Sequence, residues 1–236
     1  MGFNNGTNIV TDSLVYCLDA ANVKCYSGSG TDLVDLTGNS NGGTLGSNMT
    51  VPTNNGNVFK TNSTSGGNDN TKHITLDSNF GNLDDEDAWS LSIWVRQTVS
   101  SPSSWNSLCG SGNTTEWWVC HITDETNWTL RWRQKGSGYH TSTSGTDFPT
   151  TNITNWNHFC TTVTTGRVVQ HYINGVKATN SNTATDTEMD ILRVFSGYGI
   201  QYNWQGEGTL FKIYEKTLSD EEVLQNYNAT RGRFGI

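Results

Sequence analysis

Apolar and polar positions alternate with a period of two through much of the chain. In Trp89-Ser90-Leu91-Ser92-Ile93-Trp94-Val95, the residues Leu91, Ile93 and Val95 share one face and Ser90 and Ser92 the other. Trp128-Thr129-Leu130-Arg131-Trp132-Arg133 separates Trp128, Leu130 and Trp132 from Thr129, Arg131 and Arg133, a half-buried strand. Leu14–Leu18, His73–Leu76 and Thr209–Tyr214 read as further strands. Trp156–Val163 opens a hairpin that turns near Gly166 and returns as Arg167–Ile173. Asn174-Gly175 is a two-residue turn of type I′ leading into Val176–Ala178. Trp117 and Trp118 are neighbours, so a strand there points them to opposite faces and only one can enter a given core.

A single helix is predicted. Ser219 is its N-cap and Glu222 closes a capping box, with Leu218 and Val223 at the hydrophobic-staple positions. Asp220 and Glu221 sit at the positive end of the helix dipole. The helix should run from about Asp220 to Asn228 with Val223, Leu224 and Tyr227 on its apolar side. Gly232 and Gly235 then release the chain into a short tail, residues 229–236. Many short strands, one late helix and no alternation of strands with helices predict an all-β antiparallel sandwich. No repeat or Pro-rich linker divides the chain, so residues 1–236 read as one domain.

Composition refines this picture. Hydrophobic residues make up only 33% of the chain, and nine Trp supply the bulk that a core short of Leu and Ile needs. The net charge is −8 and no run of Lys or Arg occurs, which argues against nucleic acid and anionic membrane surfaces as partners. No apolar stretch approaches the ~18 residues of a membrane helix. The first residues lack the basic and apolar segments of a secretory signal. Cys17, Cys25, Cys109, Cys120 and Cys160 have no zinc-ligand spacing and read as packed thiols, with Cys109 and Cys120 placed to meet on neighbouring strands.

Four segments carry a resemblance. They are Leu14 to Leu45, with Asp35-Leu36-Thr37-Gly38-Asn39 inside it; Leu91-Ser92-Ile93-Trp94-Val95; Trp156-Asn157-His158-Phe159 with Tyr172-Ile173-Asn174-Gly175-Val176; and Phe211 through Glu222. Their order and spacing resemble the concanavalin A-like lectin/glucanase superfamily, in particular its laminin G-like jelly-roll branch. The resemblance implies a jelly-roll with a rim of loops that binds glycans or proteins, joins assemblies or, in some branches, cleaves glucans. The ending Gln225 to Phe234 is similar to copies of this domain in virion proteins of tailed, notably marine, phages. That implies capsid or tail proteins as partners, symmetric or homo-oligomeric assembly, and a place on the virion surface after assembly in the host cytoplasm.

Catalytic chemistry is sparse. A glycosidase needs two carboxylates facing one cleft, and no Glu-x-Asp-x-x-Glu strand is present. Asp84-Asp85-Glu86-Asp87 reads as a solvated turn, and Glu116 and Glu207 stand alone. No nucleophile elbow, zinc helix or phosphate loop occurs, and His158 and His171 read as packed strand residues. No catalytic residue and no required cofactor are assigned. Calcium is the ion the resemblance suggests, with Asp69 as its rim ligand. Sugar binding calls for an aromatic platform flanked by amides. The assigned platform residues are Trp118, Tyr198, Tyr202 and Trp204, with Trp105 and Tyr139 as further aromatics. The chain therefore reads as a non-enzymatic virion surface protein, a head decoration or tail or fibre component with a glycan-adhesion role. The alternatives are a free carbohydrate-binding lectin and a glucan hydrolase.

Overall fold

The computed structural model describes residues 8–39, 41–53, 56–63, 68–83, 87–99, 105–111, 119–123, 129–133, 139–141, 152–184, 189–197 and 202–236. Within them two antiparallel sheets stack as a sandwich. The first sheet centres on β7 (Trp89–Gln97) and β16 (Gly206–Tyr214). Beyond β7 follow β12 (Asn157–Val163), β13 (Val168–Ile173) and β14 (Val176–Thr183). The far edge of β16 is shared by β1 (Leu14–Leu18) and β5 (Phe59–Thr61), and β4 (Met49–Thr50) pairs with β5. The second sheet runs β11 (Tyr139–Thr141), β10 (Thr129–Arg133), β9 (Val119–Thr123), β8 (Trp105–Gly110), β15 (Met189–Val194), β6 (Ile74–Leu83), β3 (Gly43–Leu45) and β2 (Asp32–Leu33). Cys109 and Cys120 stand opposite each other across β8 and β9.

Alternation places Trp89, Leu91, Ile93 and Val95 of β7 in the core between the sheets, with Phe159, Val163, Phe211 and Ile213 beside them. The Asn174-Gly175 turn has positive φ at both residues, 53° and 77°, as the predicted turn type requires. The turn before β13 places Arg167, not Gly166, in the left-handed region, at φ 61°. A bulge in β16 sets Leu210 and Phe211 against Ile93, with Leu210 at φ 51°.

The other face of the first sheet is buried as well. Helix α1 (Asp220–Thr230) lies over it, with the Ser219–Glu222 capping box formed at its start. Val223 and Leu218 pack with Cys160, Tyr172, Tyr214 and Val10. The apolar side departs from expectation: Leu224 is 45% exposed, and Asn226 is buried in its place. Asn226 accepts from the Val10 N–H at 2.9 Å and donates to the Tyr214 hydroxyl at 3.2 Å, pinning the chain's early segment to the helix. Ser90, the polar half of the β7 alternation, is fully buried. Its Oγ donates to the Lys216 carbonyl at 2.7 Å and accepts from Leu218 N–H at 2.9 Å.

The tail expected from residue 229 is instead part of the fold. The helix continues to Thr230 and a 3₁₀ turn follows at Arg231–Phe234. Arg233 pairs with Asp19 at 2.7 Å and donates to the carbonyls of Gly56 and Asn57. Phe234 stacks on Trp94 with centroids 4.3 Å apart.

This covered face holds His158, whose Nε2 lies 2.7 Å from Ser92 Oγ while Nδ1 is buried without a partner among the described residues. Burial first, and the Lys212 charge second, hold its pKa well below the usual 6.5. Above ~6.5 both folded and unfolded His158 are neutral; below it only the unfolded chain binds the proton. The resulting stability is present above that value and lost as pH falls. Between about pH 6.5 and about pH 5 the loss from this residue should grow to at most about 1.7 kcal/mol, and His158→Gln should flatten that slope. Urea midpoints of both proteins across the window measure it; equal slopes would refute the assignment.

Candidate functional site

At one end of the first sheet a groove of about 480 Å³ opens between four segments. Arg96 comes from the end of β7, Asn152 to Asn157 from the loop entering β12, Asn174 from the β13–β14 turn, and Phe234 to Ile236 from the 3₁₀ turn and the residues after it.

The loop is rigid for local reasons. Asn152 Oδ1 accepts from the Thr154 N–H at 3.0 Å and its hydroxyl at 2.8 Å, an Asx turn. Ile153 is buried in the core, and its carbonyl accepts from Gln97 N–H at 2.9 Å. Asn157 Nδ2 donates to the carbonyls of Asn152 and Asn155, and its Oδ1 accepts from Asn174 Nδ2 at 2.9 Å. Asn174 Oδ1 in turn accepts from His158 N–H. These amides hold the wall. Asn152, Thr154 and Asn155 are exposed at its rim, where they can meet a ligand.

Two aromatic rings and one charged group complete the groove. Trp156 and Phe234 lie 4.7 Å apart with a 38° tilt, and the Trp156 indole N–H is buried without a partner. Arg96 faces Glu207 directly across β7 and β16, and its Nε donates to Glu207 Oε2 at 2.8 Å. The guanidinium carbon sits 5.2 Å from the Trp156 ring centroid. The strands can approach this closely because residue 206 is Gly: a Cβ there would stand 2.1 Å from the Arg96 carbonyl oxygen. Polar side chains fixed around an aromatic wall can orient a small polar ligand and cover one of its apolar faces.

With this architecture in place, the comparisons with known proteins become specific. The model of the concanavalin A-like lectin/glucanases superfamily, in a laminin G-like form, matches residues 65–224. The chain belongs to that superfamily. Among curated protein sequences none matches significantly. The fold is similar to the binding domain of Paraclostridial Mosquitocidal Protein 1, with a TM-score of 0.66 and 16% identity over 92% of this chain and 52% of that one. It is similar also to the botulinum neurotoxin serotype D ligand binding domain in complex with N-acetylneuraminic acid, at TM-score 0.66 and 20% identity over 92% and 50%. A third similar structure is the binding domain of botulinum neurotoxin DC in complex with rat synaptotagmin II, at 0.67 and 15% over 92% and 51%. The superfamily domain thus spans about half the length of these structures, and at such identities the likeness is one of fold.

Of the aromatic platform assigned from sequence, Tyr202 and Trp204 lie among the described residues. Trp204 is fully buried in the main core, and its indole N–H donates to the Glu207 carbonyl at 3.2 Å, so no face of its ring is open to a sugar. Tyr202 is half-buried, at φ 58°, with its carbonyl bound to Ser107 N–H. Trp118 and Tyr198 lie outside the described residues. Asp69 does meet the 202–204 segment: its N–H donates to Asn203 Oδ1 at 2.8 Å. Its carboxylate accepts from Thr71 and pairs with Lys72 at 3.2 Å, contacts that hold its pKa low. A cation there would have to displace Lys72. Among the described residues no group of three or more His, Cys, Asp or Glu gathers to hold a metal. Glu207, one of the two isolated acids, is committed to Arg96.

Sequence reasoning missed Arg96, Asn152, Thr154, Asn155 and Phe234 as one site. The signal was the Asn-Ile-Thr-Asn-Trp-Asn run at 152–157, a turn-forming amide cluster with Trp156 inside it.

Proposed function

We propose that this chain is a non-enzymatic recognition module that holds a glycan in the Arg96–Trp156–Phe234 groove and is displayed on the surface of a tailed-phage virion. The groove is the observation that carries the binding reading: rigid amides, a hydroxyl and an aromatic wall in a volume suited to one or two sugar rings. The similar structures are binding domains, one bound to N-acetylneuraminic acid and one to synaptotagmin II, and this supports recognition over catalysis. The virion placement is supported by the phage-like sequence of residues 225–234.

Two measurements test the two halves. On a glycan array the protein should bind, and the double variant Thr154→Ala, Asn155→Ala should lose about tenfold or more in affinity with a urea midpoint little changed, since both side chains are exposed and the Thr154 N–H still holds the Asn152 turn. Binding unaffected by that variant would remove the groove from consideration. Peptide mass spectrometry of purified virions should detect the chain at fixed stoichiometry to the major capsid protein. Its absence there would leave the free lectin.

A further inference from the structure

Among the described side chains that line the groove, Arg96 alone carries a charge. It is not free to turn away. Glu207, whose side chain is only 4% exposed, takes Nε through one contact at 2.8 Å, and the guanidinium carbon lies over the Trp156 ring. Among the described residues neither Nη group has a partner. Both terminal nitrogens are thus held in place with their hydrogens unspent. The Arg96 side chain is 26% exposed, enough to be reached from the groove and buried enough to be shielded in part from salt.

A fixed guanidinium with two open N–H₂ groups matches a carboxylate, whose two oxygens take parallel hydrogen bonds. A neutral sugar hydroxyl would use one of these donors and leave the other dry. Asn152, Thr154 and Asn155 on the adjoining loop, whose Ile153 carbonyl is bound by Gln97 N–H, offer neutral donors and acceptors suited to ring hydroxyls. We infer that the groove is specific for an acidic saccharide, its carboxylate bound bidentately by Arg96 and its hydroxyls by the Asn152–Asn155 rim. This inference rests on the glycan-binding reading above and narrows its ligand class.

The test changes the ligand, so that folding is not at stake. Hexuronic-acid oligosaccharides are arrayed beside the same oligosaccharides after reduction of their carboxyl groups to primary alcohols, and neutral glycans are included. The acids should bind, with their reduced forms weaker by about tenfold or more, because a charge-assisted pair is lost. Arg96→Gln should abolish the difference between the two forms. Arg96→Lys, which keeps the charge but not the fork, should leave it reduced. A urea midpoint on each variant shows that the fold persists. Equal binding of acid and reduced forms, or binding of neutral glycans alone, would overturn the acidic-ligand inference and leave the groove as a glycan site. No binding to any glycan would overturn both.

Discussion

Replacing Lys212 by Met should make the protein more stable, by about 1–3 kcal/mol at neutral pH. Lys212 lies on the covered face of the first sheet with no exposed surface, and its Nζ is buried without a hydrogen-bond partner among the described residues. The sheet register sets its neighbours. Cys17 stands opposite it on β1, Ser92 on β7, and Cys160 opposite Ser92 on β12. Burial lowers the lysine pKa; the two cysteines and Asp19 act against that shift. Burial dominates at the thiols too, taking both Cys17 and Cys160 up to about 12 although Lys212 pulls each down. An amine without a partner costs its lost hydration, and Met fills a similar unbranched volume with no polar atom.

The same lysine predicts a pH slope. Between its lowered folded pKa and the ordinary 10.5, the unfolded chain binds a proton that the folded chain does not. Stability should therefore rise as pH rises through that window. Lys212→Met should lack the rise, so its advantage should shrink as pH approaches ~10. Guanidinium midpoints of the two proteins, taken from neutral pH upward, measure both effects. A Met variant of equal or lower stability would show that the amine has a compensating partner, such as a proton shared with a flanking thiol.

Lys212 also marks where sequence reading stops. Phe211 and Ile213 alternate with it, so the strand is legible from its own residues, while Lys212 reads as the solvent side. Nothing in β16 says that a helix formed by residues 220–230 closes over that side. The helix is legible in itself, because Ser219, Glu222 and Leu218 are local signals. What it covers is a tertiary fact. Trp204 fails in the same way. An aromatic stretch with a Gly reads as a rim loop, yet Trp204 N–H pairs with the Phe195 carbonyl at 2.9 Å and draws the ring into the core. Beyond the amide run at 152–157 the groove had no local signature, since Arg96, Asn152, Asn174 and Phe234 meet only after β7, β12, β13 and the C-terminal turn have found their places.

Phe234→Ala should cost about 2–4 kcal/mol and also weaken ligand binding, two losses from one ring. Gly232 and Gly235 flank Phe234 and suggest a loose end, but the ring is seated between two tryptophans. It stacks on Trp94 at 4.3 Å and meets Trp156 at 4.7 Å, and Tyr227 stacks on Trp94 at 5.7 Å. Trp94 is fully buried, and its indole N–H donates to Thr230 Oγ1 at 2.8 Å, so the last helical turn and the ring both depend on it. Removing the ring opens a cavity against Trp94 and takes one wall from the groove. Water should then reach both indoles, and tryptophan emission of the folded variant should shift to the red. Phe234→Leu separates the causes: it restores much of the apolar contact without the stacking, so it should recover most of the stability and less of the binding. A Leu variant that regains both in full would mean that the ring acts as apolar bulk alone, and that the groove's aromatic wall is Trp156 without its partner.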